Sequence, residues 1–280
     1  MKIWLLILAL TTGSLAEGSE VEPLDVTWSL ETFTLESSTF HNARTIRVLL
    51  PHLKGRSVEG TFPVLLMNDG LAAFDPEGWD LPQVVKTLVA TGKIPPLVVV
   101  GIDNAGAARR ADEYLPLIDE TFQPPMPQPH GALYPGFLAE EVLPAVRARF
   151  PISTDRDRVG LGGGSYGATI ALYTTLTRPD LSGKLLLESP ALYMSGGRLL
   201  EEARAAKSWP RRVSLGIGSH ETGNASDDEG LVEDVRSLER AIRDGAPRAR
   251  TRLVVEPTAR HEEAAWGRRA AAALIFLFGP

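Results

Sequence analysis

The sequence predicts an α/β fold, a mostly parallel central sheet with helices on both faces. Three observations predict it. Short strand-like and longer helix-like segments alternate from residue 62 to the C-terminus. Two of the strands, "FPVLLMND" (62–69) and "PLVVVGID" (96–103), are nearly continuous apolar runs, as expected where both faces of a strand are covered. Residues 159–168, "VGLGGGSYGA", place five glycines around one serine between a strand pattern and a helix pattern.

Each element has its own signal. "DVTWSLETFTL" (25–35) and "ARTIRVLLP" (43–51) alternate apolar with polar and carry β-branched residues, so they read as an antiparallel pair of strands. After the 62–69 strand, "PQVVKTLVATGKI" (82–94) has helical spacing, and 96–103 follows as a strand. Residues 104–132, rich in Pro, Asp and Ala, break the rhythm and read as a long loop, the kind that is functional or disordered in a compact domain. "YPGFLAEEVLPAVRARF" (134–150) keeps apolar residues at helical intervals despite Pro144. "DRVGLGG" (157–163) is a strand and "YGATIALYTTLT" (166–177) a helix ended before Pro179. Then come strands "GKLLLES" (183–189) and "RRVSLGIGS" (211–219), helix "LVEDVRSLERAIRDG" (231–245), strand "RTRLVVEP" (250–257) and helix "EEAAWGRRAAAALIFLF" (262–278). The apolar tail of the last helix is too short to span a bilayer and reads as core.

Composition bounds the function. The 280 residues are 44% hydrophobic and 23% charged, enough for one large core. A net charge of −6 leaves no basic surface for nucleic acid. There is no cysteine, which excludes disulfides, thiolate metal sites and a lipidated cysteine anchor. The N-terminus reads as a secretory signal peptide over residues 1–16: Lys2, an apolar run from Ile3 to Leu10, and the small-x-small site Ser14-Leu15-Ala16. A single domain over 17–280 is expected, exported to a periplasmic or extracellular space without a transmembrane anchor.

The glycine turn admits three readings. It fits G-x-S-x-G, the turn that presents a nucleophilic serine. It fits G-x-G-x-x-G, a dinucleotide fingerprint, with Glu188 about 20 residues on as a ribose-binding acid. It also fits a plain tight turn. Its mid-chain position and the export signal count against a dinucleotide oxidoreductase, and no Lys-Ser or Lys-Thr follows to make a phosphate loop.

The serine reading makes further demands that the sequence meets. A serine hydroxyl needs a general base, and the base needs an orienting carboxylate. On this fold the order is Ser, acid, His, each in a loop after a strand. Of five histidines only His220 and His261 follow Ser165, and His261 lies between the last strand and the last helix. Glu221 follows the 211–219 strand by two residues; Asp227, Asp228 and Glu229 are rivals, placed where a helix is already beginning. Two backbone N–H groups must hold the oxyanion. Tyr166, after the serine, supplies one, and Leu71, after the Asp69-Gly70 turn, is the candidate for the other.

With those residues in view, "FPVLLMNDGLAAFDPEGWD", "EEVLPAVRARF", "VGLGGGSYGATIALYTTLTRPDLSGKLLLESPAL" and "RHEEAAWGRRAAAALIFLFG" resemble the esterase family of α/β-hydrolases. That group includes siderophore and feruloyl esterases, S-formylglutathione hydrolases and mycolyltransferases. The resemblance spans about residues 40–280. It implies an α/β-hydrolase fold, a nucleophile at Ser165, an acid at Glu221, a base at His261 and oxyanion donors at Leu71 and Tyr166, with no metal and no cofactor. It implies a small-molecule or polymer-linked ester as substrate. Three positions depart from the family pattern: Ala168 where a second glycine is common, Gly164 where a larger residue precedes the serine, and Glu221 where aspartate is frequent. The expected activity is ester hydrolysis. Acyl transfer on the same triad is the nearest alternative. A non-catalytic binding protein would be expected to have lost Ser165, Glu221 or His261.

Overall fold

The computed structural model describes residues 25–54, 60–120 and 128–280. Residues 1–16, expected from the sequence to be a signal peptide, lie outside the described residues. Eight strands form one sheet: β1 (Val26–Ser37), β2 (Asn42–Leu53), β3 (Val64–Asn68), β4 (Val98–Ile102), β5 (Val159–Gly164), β6 (Lys184–Glu188), β7 (Arg212–Gly218) and β8 (Arg250–Glu256). Their order is β1-β2-β4-β3-β5-β6-β7-β8. β2 is antiparallel to both neighbours, and β3 through β8 are all parallel. The predicted antiparallel pair is thus the β1–β2 hairpin, registered from Val26 opposite Leu53 to Ser37 opposite Asn42.

The helices are α1 (Gly70–Phe74), α2 (Leu81–Ala90), α3 (Ala107–Tyr114), α4 (Tyr134–Phe137), α5 (Leu143–Arg147), α6 (Tyr166–Thr177), α7 (Arg198–Ala205), α8 (Ala225–Gly245) and α9 (Glu263–Phe278). They fall on two faces because successive strand residues point to opposite sides. Val64 and Leu66, Val98 and Val100, Leu185 and Leu187 join one core with Phe137, Ile170, Leu199 and Leu238. Leu65, Met67, Val99 and Leu186 join the other, with Leu81 and Val85 of α2 and Trp266, Leu274 and Leu277 of α9. Strand β5 carries glycine where it faces α9: a Cβ on Gly160 would stand 2.8 Å from the Phe278 ring, and one on Gly162 2.9 Å from Met67 and Leu186. Small residues here let the last helix lie close against the sheet. At the apolar end of α9, Leu274, Leu277 and Phe278 are core, as expected, while Ile275 faces outward.

Helices α1 and α7 have no counterpart in the sequence reading, and three further segments differ from it. Residues 104–132, expected as a loop, contain α3, whose short polar sequence gives little apolar period. The 134–150 helix is not uniform: α4 and α5 are joined by a π-helical turn at Leu138–Val142. Pro144 has no N–H for the Glu140 carbonyl, which accounts for the widened turn just before it. Helix α8 begins at Ala225, not 231, because the Asn224 side chain accepts the Ser226 N–H and caps a polar first turn.

Candidate active site

All of the sequence-predicted site residues lie at the carboxyl ends of the parallel strands. Ser165 sits between β5 and α6 at φ 56°, ψ −129°, a strained conformation for a residue with a side chain. The turn can be that tight only because of its glycines. A Cβ on Gly163 would be 2.5 Å from the Gly167 carbonyl carbon, and one on Gly167 2.7 Å from the Asp69 carboxylate. The Ser165 N–H donates to the Glu188 carbonyl at 2.9 Å, tying the turn to the end of β6.

His261 is held over the sheet by loops laced together after β7 and β8. The Ser219 N–H donates to the Glu256 carbonyl at 3.0 Å and the His220 N–H to the Ala259 carbonyl at 3.0 Å. A Cβ on Gly218 would lie 2.2 Å from the Ala259 oxygen, so only glycine lets the two loops approach this closely. The approach brings His261 Nδ1 to 2.5 Å from Glu221 Oε2. The other oxygen, Glu221 Oε1, accepts the Gly218 N–H at 2.6 Å and the Ser189 hydroxyl at 2.8 Å.

These contacts fix the electrostatics. Burial would raise the Glu221 pKa, but hydrogen bonds from His261, Gly218 and Ser189 outweigh it and hold the carboxyl below its ordinary value. An ionised carboxylate only accepts, so the His261 Nδ1–H donates to Glu221 and the other ring nitrogen, Nε2, is the one left for a different partner. The Glu221 side chain is 1% exposed, whereas that of His261 is 41% exposed. The carboxylate is therefore fixed and the imidazole faces solvent.

Ser165 and His261 line two adjoining cavities. The first, about 620 Å³, also holds Leu71, Asp69, Arg110 and Trp266. The second, about 430 Å³, is lined by Tyr166, Tyr193, Ile217, Leu231 and Glu221. Leu71 lies in the first turn of α1 and Tyr166 opens α6, where N–H groups have no acceptor within the helix. The five sequence-predicted residues thus come together. The rivals do not join the pair: Asp227 and Asp228 stand in the first turn of α8. Asp228 accepts the Thr222 N–H at 2.7 Å and so braces the Glu221 loop from behind. His220, the other late histidine, contacts the Ser219 hydroxyl at 2.9 Å instead.

The structure adds residues that the sequence did not single out. Asp69, left-handed at φ 55°, is gripped by the Arg110 guanidinium at 2.9 and 2.8 Å and by the Asn104 amide at 2.6 Å. Both donors come from the 104–132 segment, so that segment sets the turn carrying Leu71. Trp266 explains a departure from the family pattern: a Cβ on Gly164 would lie 2.6 Å from its ring, which takes the space of a larger residue. Ala168, the second departure, is fully buried in the core. Glu188, the acid of the dinucleotide reading, is fully buried and ion-paired with Arg269 at 2.7 Å, so its carboxylate is already engaged inside the fold.

The chain matches the family described as "Putative esterase" over residues 37–277. It belongs to this esterase family. A siderophore triacetylfusarinine C esterase of Aspergillus fumigatus is 29% identical over 153 residues, 52% of this chain and 50% of the relative. The chain therefore aligns with about half the length of that relative. Among solved structures, the BES protein from Bacillus cereus superposes with a TM-score of 0.73 at 20% identity, over 90% of this chain and 96% of that one. The siderophore hydrolase EstB from Aspergillus nidulans gives 0.71 at 22% identity, over 89% and 95%. The fold is that of the α/β-hydrolases.

Proposed function

We propose that the protein is an exported serine hydrolase of carboxylic esters, with Ser165 as nucleophile, His261 as base and Glu221 as acid. The observation that carries this is the His261–Glu221 contact at 2.5 Å, in cavities shared with a serine strained at φ 56°. Ser165 Oγ attacks the ester carbonyl carbon while its proton passes to His261 Nε2. The N–H groups of Leu71 and Tyr166 stabilise the oxyanion. The carbon–oxygen bond to the alcohol then breaks, and His261 returns the proton to the leaving oxygen. Water, deprotonated by His261, attacks the acyl-enzyme and releases the acid and Ser165. The reaction as written needs no metal or cofactor. Its substrate is a small-molecule or polymer-linked ester, and the siderophore esterases among the relatives make ester siderophores a natural first class to try.

Purified protein should hydrolyse activated short-chain esters, and a panel of acyl, feruloyl and siderophore esters should find the best substrate. Ser165→Ala should fold and lose turnover by roughly 10⁶-fold, the extreme for such a triad. Near-native turnover in that variant would end the serine-hydrolase reading. Residues 1–16 are proposed to be removed on export. Mature protein starting near Glu17 is the expected result of N-terminal analysis, and full-length protein retained in the cytoplasm would refute it.

A further inference from the structure

We propose that Trp266 and Ser189 are positioning residues that hold Glu221 ionised and aimed at His261 through a one-way chain of hydrogen bonds. The proposal rests on the triad reading above. It starts from the contacts of one hydroxyl. Ser189 Oγ receives the Trp266 indole N–H at 3.0 Å and contacts Glu221 Oε1 at 2.8 Å. An indole N–H can only donate and a carboxylate can only accept. The serine hydroxyl has one proton, so its direction is settled: it accepts from Trp266 and donates to Glu221. Without the indole, the hydroxyl could rotate.

The position of each partner is costly, which argues that the chain is more than a filled hole. Ser189 takes φ 46°, a left-handed value uncommon for serine, directly after β6. Its own N–H donates to the Gly216 carbonyl at 2.8 Å, which pins the bend to β7. Trp266 lies in the first turn of α9 and touches the site three times. Its ring packs on Gly164, immediately before the nucleophile. It meets the His261 ring edge-on, with centroids 5.2 Å apart at 90°. Its N–H begins the chain to Glu221. One indole thus contacts the nucleophile turn and the base directly, and the acid through Ser189. The longer side chain of glutamate makes such anchoring useful, because it has one more rotatable bond than the aspartate common at this place.

The hydroxyl presents the positive end of its dipole to the carboxylate. Removing it leaves Glu221 more basic and raises the proton affinity of the Glu221–His261 pair. The acid limb of kcat/KM should therefore move to higher pH. Trp266→Phe keeps a ring against Gly164 and His261 but removes the N–H. Ser189→Ala removes only the hydroxyl, so it tests the chain even where the tryptophan variant folds poorly.

The experiment is a double-mutant cycle on an activated ester, with the pH profile of kcat/KM and the His261 ring titration followed by NMR. The NMR arm is run in a Ser165→Ala background and so needs no turnover. Ser189→Ala should lower kcat/KM about tenfold and Trp266→Phe about threefold, the scale of one buried hydrogen bond. Both should move the titration upward in pH. In the Ser189→Ala background, Trp266→Phe should add little to either readout. If the two losses multiply and Trp266→Phe shifts the titration equally with Ser189 absent, the chain is refuted and Trp266 acts by packing alone. Failure of the triad itself would look different: Ser165→Ala would stay active.

Discussion

Two glutamates at the ends of neighbouring strands, Glu188 closing β6 and Glu221 just after β7, meet opposite fates. Both are buried, and both lie against a basic side chain. Glu188 faces Arg269, whose side chain is 4% exposed and reaches Glu256 as well at 2.6 Å. Glu221 faces His261, which opens onto both cavities. A guanidinium stays charged at any working pH, so Arg269 has no proton to exchange, and its contacts with Glu188 and Glu256 fasten α9 to the sheet. The Glu221 pair opens onto both cavities beside Ser165, and the proposed mechanism assigns His261 there to carry the serine proton. The partner and its access to solvent set the two pairs apart: one is closed off inside the fold, and the other opens onto both cavities and is the one proposed to react.

The sharpest way to break that comparison is to neutralise the member proposed to react. Glu221→Gln should fold and lose about 10⁴-fold in turnover, because the histidine forfeits its tautomer and counter-charge. Asp227→Asn and Asp228→Asn serve as controls and should stay within about tenfold of the native rate, since each alters at most a supporting hydrogen bond. Steady-state kinetics of the three on one ester decides it. A crippled aspartate variant beside an active Glu221→Gln would move the acid to the start of α8 and leave the roles of Ser165 and His261 standing.

The fixed member predicts a loss of a different kind. Arg269→Leu leaves Glu188 buried without its counter-charge, and breaking a buried pair in this way costs about 3–5 kcal/mol. Urea denaturation should show that loss as a lower midpoint. The surviving folded fraction should keep near-native kcat, since Arg269 lines neither cavity. Unchanged stability would mean that Glu188 simply takes up a proton and that the clamp contributes nothing.

This contrast also marks how far the sequence could be read. The placement of Ser165, Glu221 and His261 together at the strand ends was legible because strand-end position, chain order and glycine spacing constrain it. The strands of both cores were legible because Val64, Leu65, Leu66 and their counterparts in β4 and β6 follow the two-sided burial that a parallel sheet imposes. Helices α1, α3 and α7 were not, since five to eight residues carry too little period, and the polar first turn of α8 carried none. Trp266 and Ser189 lie in segments read only as a helix and a strand. Their bond spans 77 residues of sequence, and no local pattern encodes it. Arg110 was hidden in a segment read as loop, although it holds the Asp69 turn that carries Leu71.

The smallest expected effect per unit is in the pH dependence of stability, where the two glutamates should pull in opposite directions. Glu221 is held below the ordinary carboxylate value. Its contribution is complete above the unfolded pKa and is lost as pH falls through the lower folded value. Glu188 goes the other way. Burial pushes it up to about 7, against the pull of Arg269. Its protonated form favours the fold, so that contribution is complete below the unfolded pKa and is lost as pH rises toward about 7. Each group can tilt the stability curve by at most about 1.4 kcal/mol per pH unit. Unfolding midpoints measured from acid to neutral pH for the native chain, Glu221→Gln and Glu188→Gln separate the two. Glu221→Gln should flatten only the acid limb, below the ordinary carboxylate value. Glu188→Gln should flatten only the decline toward neutrality, and the glutamine keeps the volume that lies against Gly216. If both substitutions flatten the same limb, the two carboxylates titrate as one coupled system, and the division into a locked pair and a reactive pair is wrong.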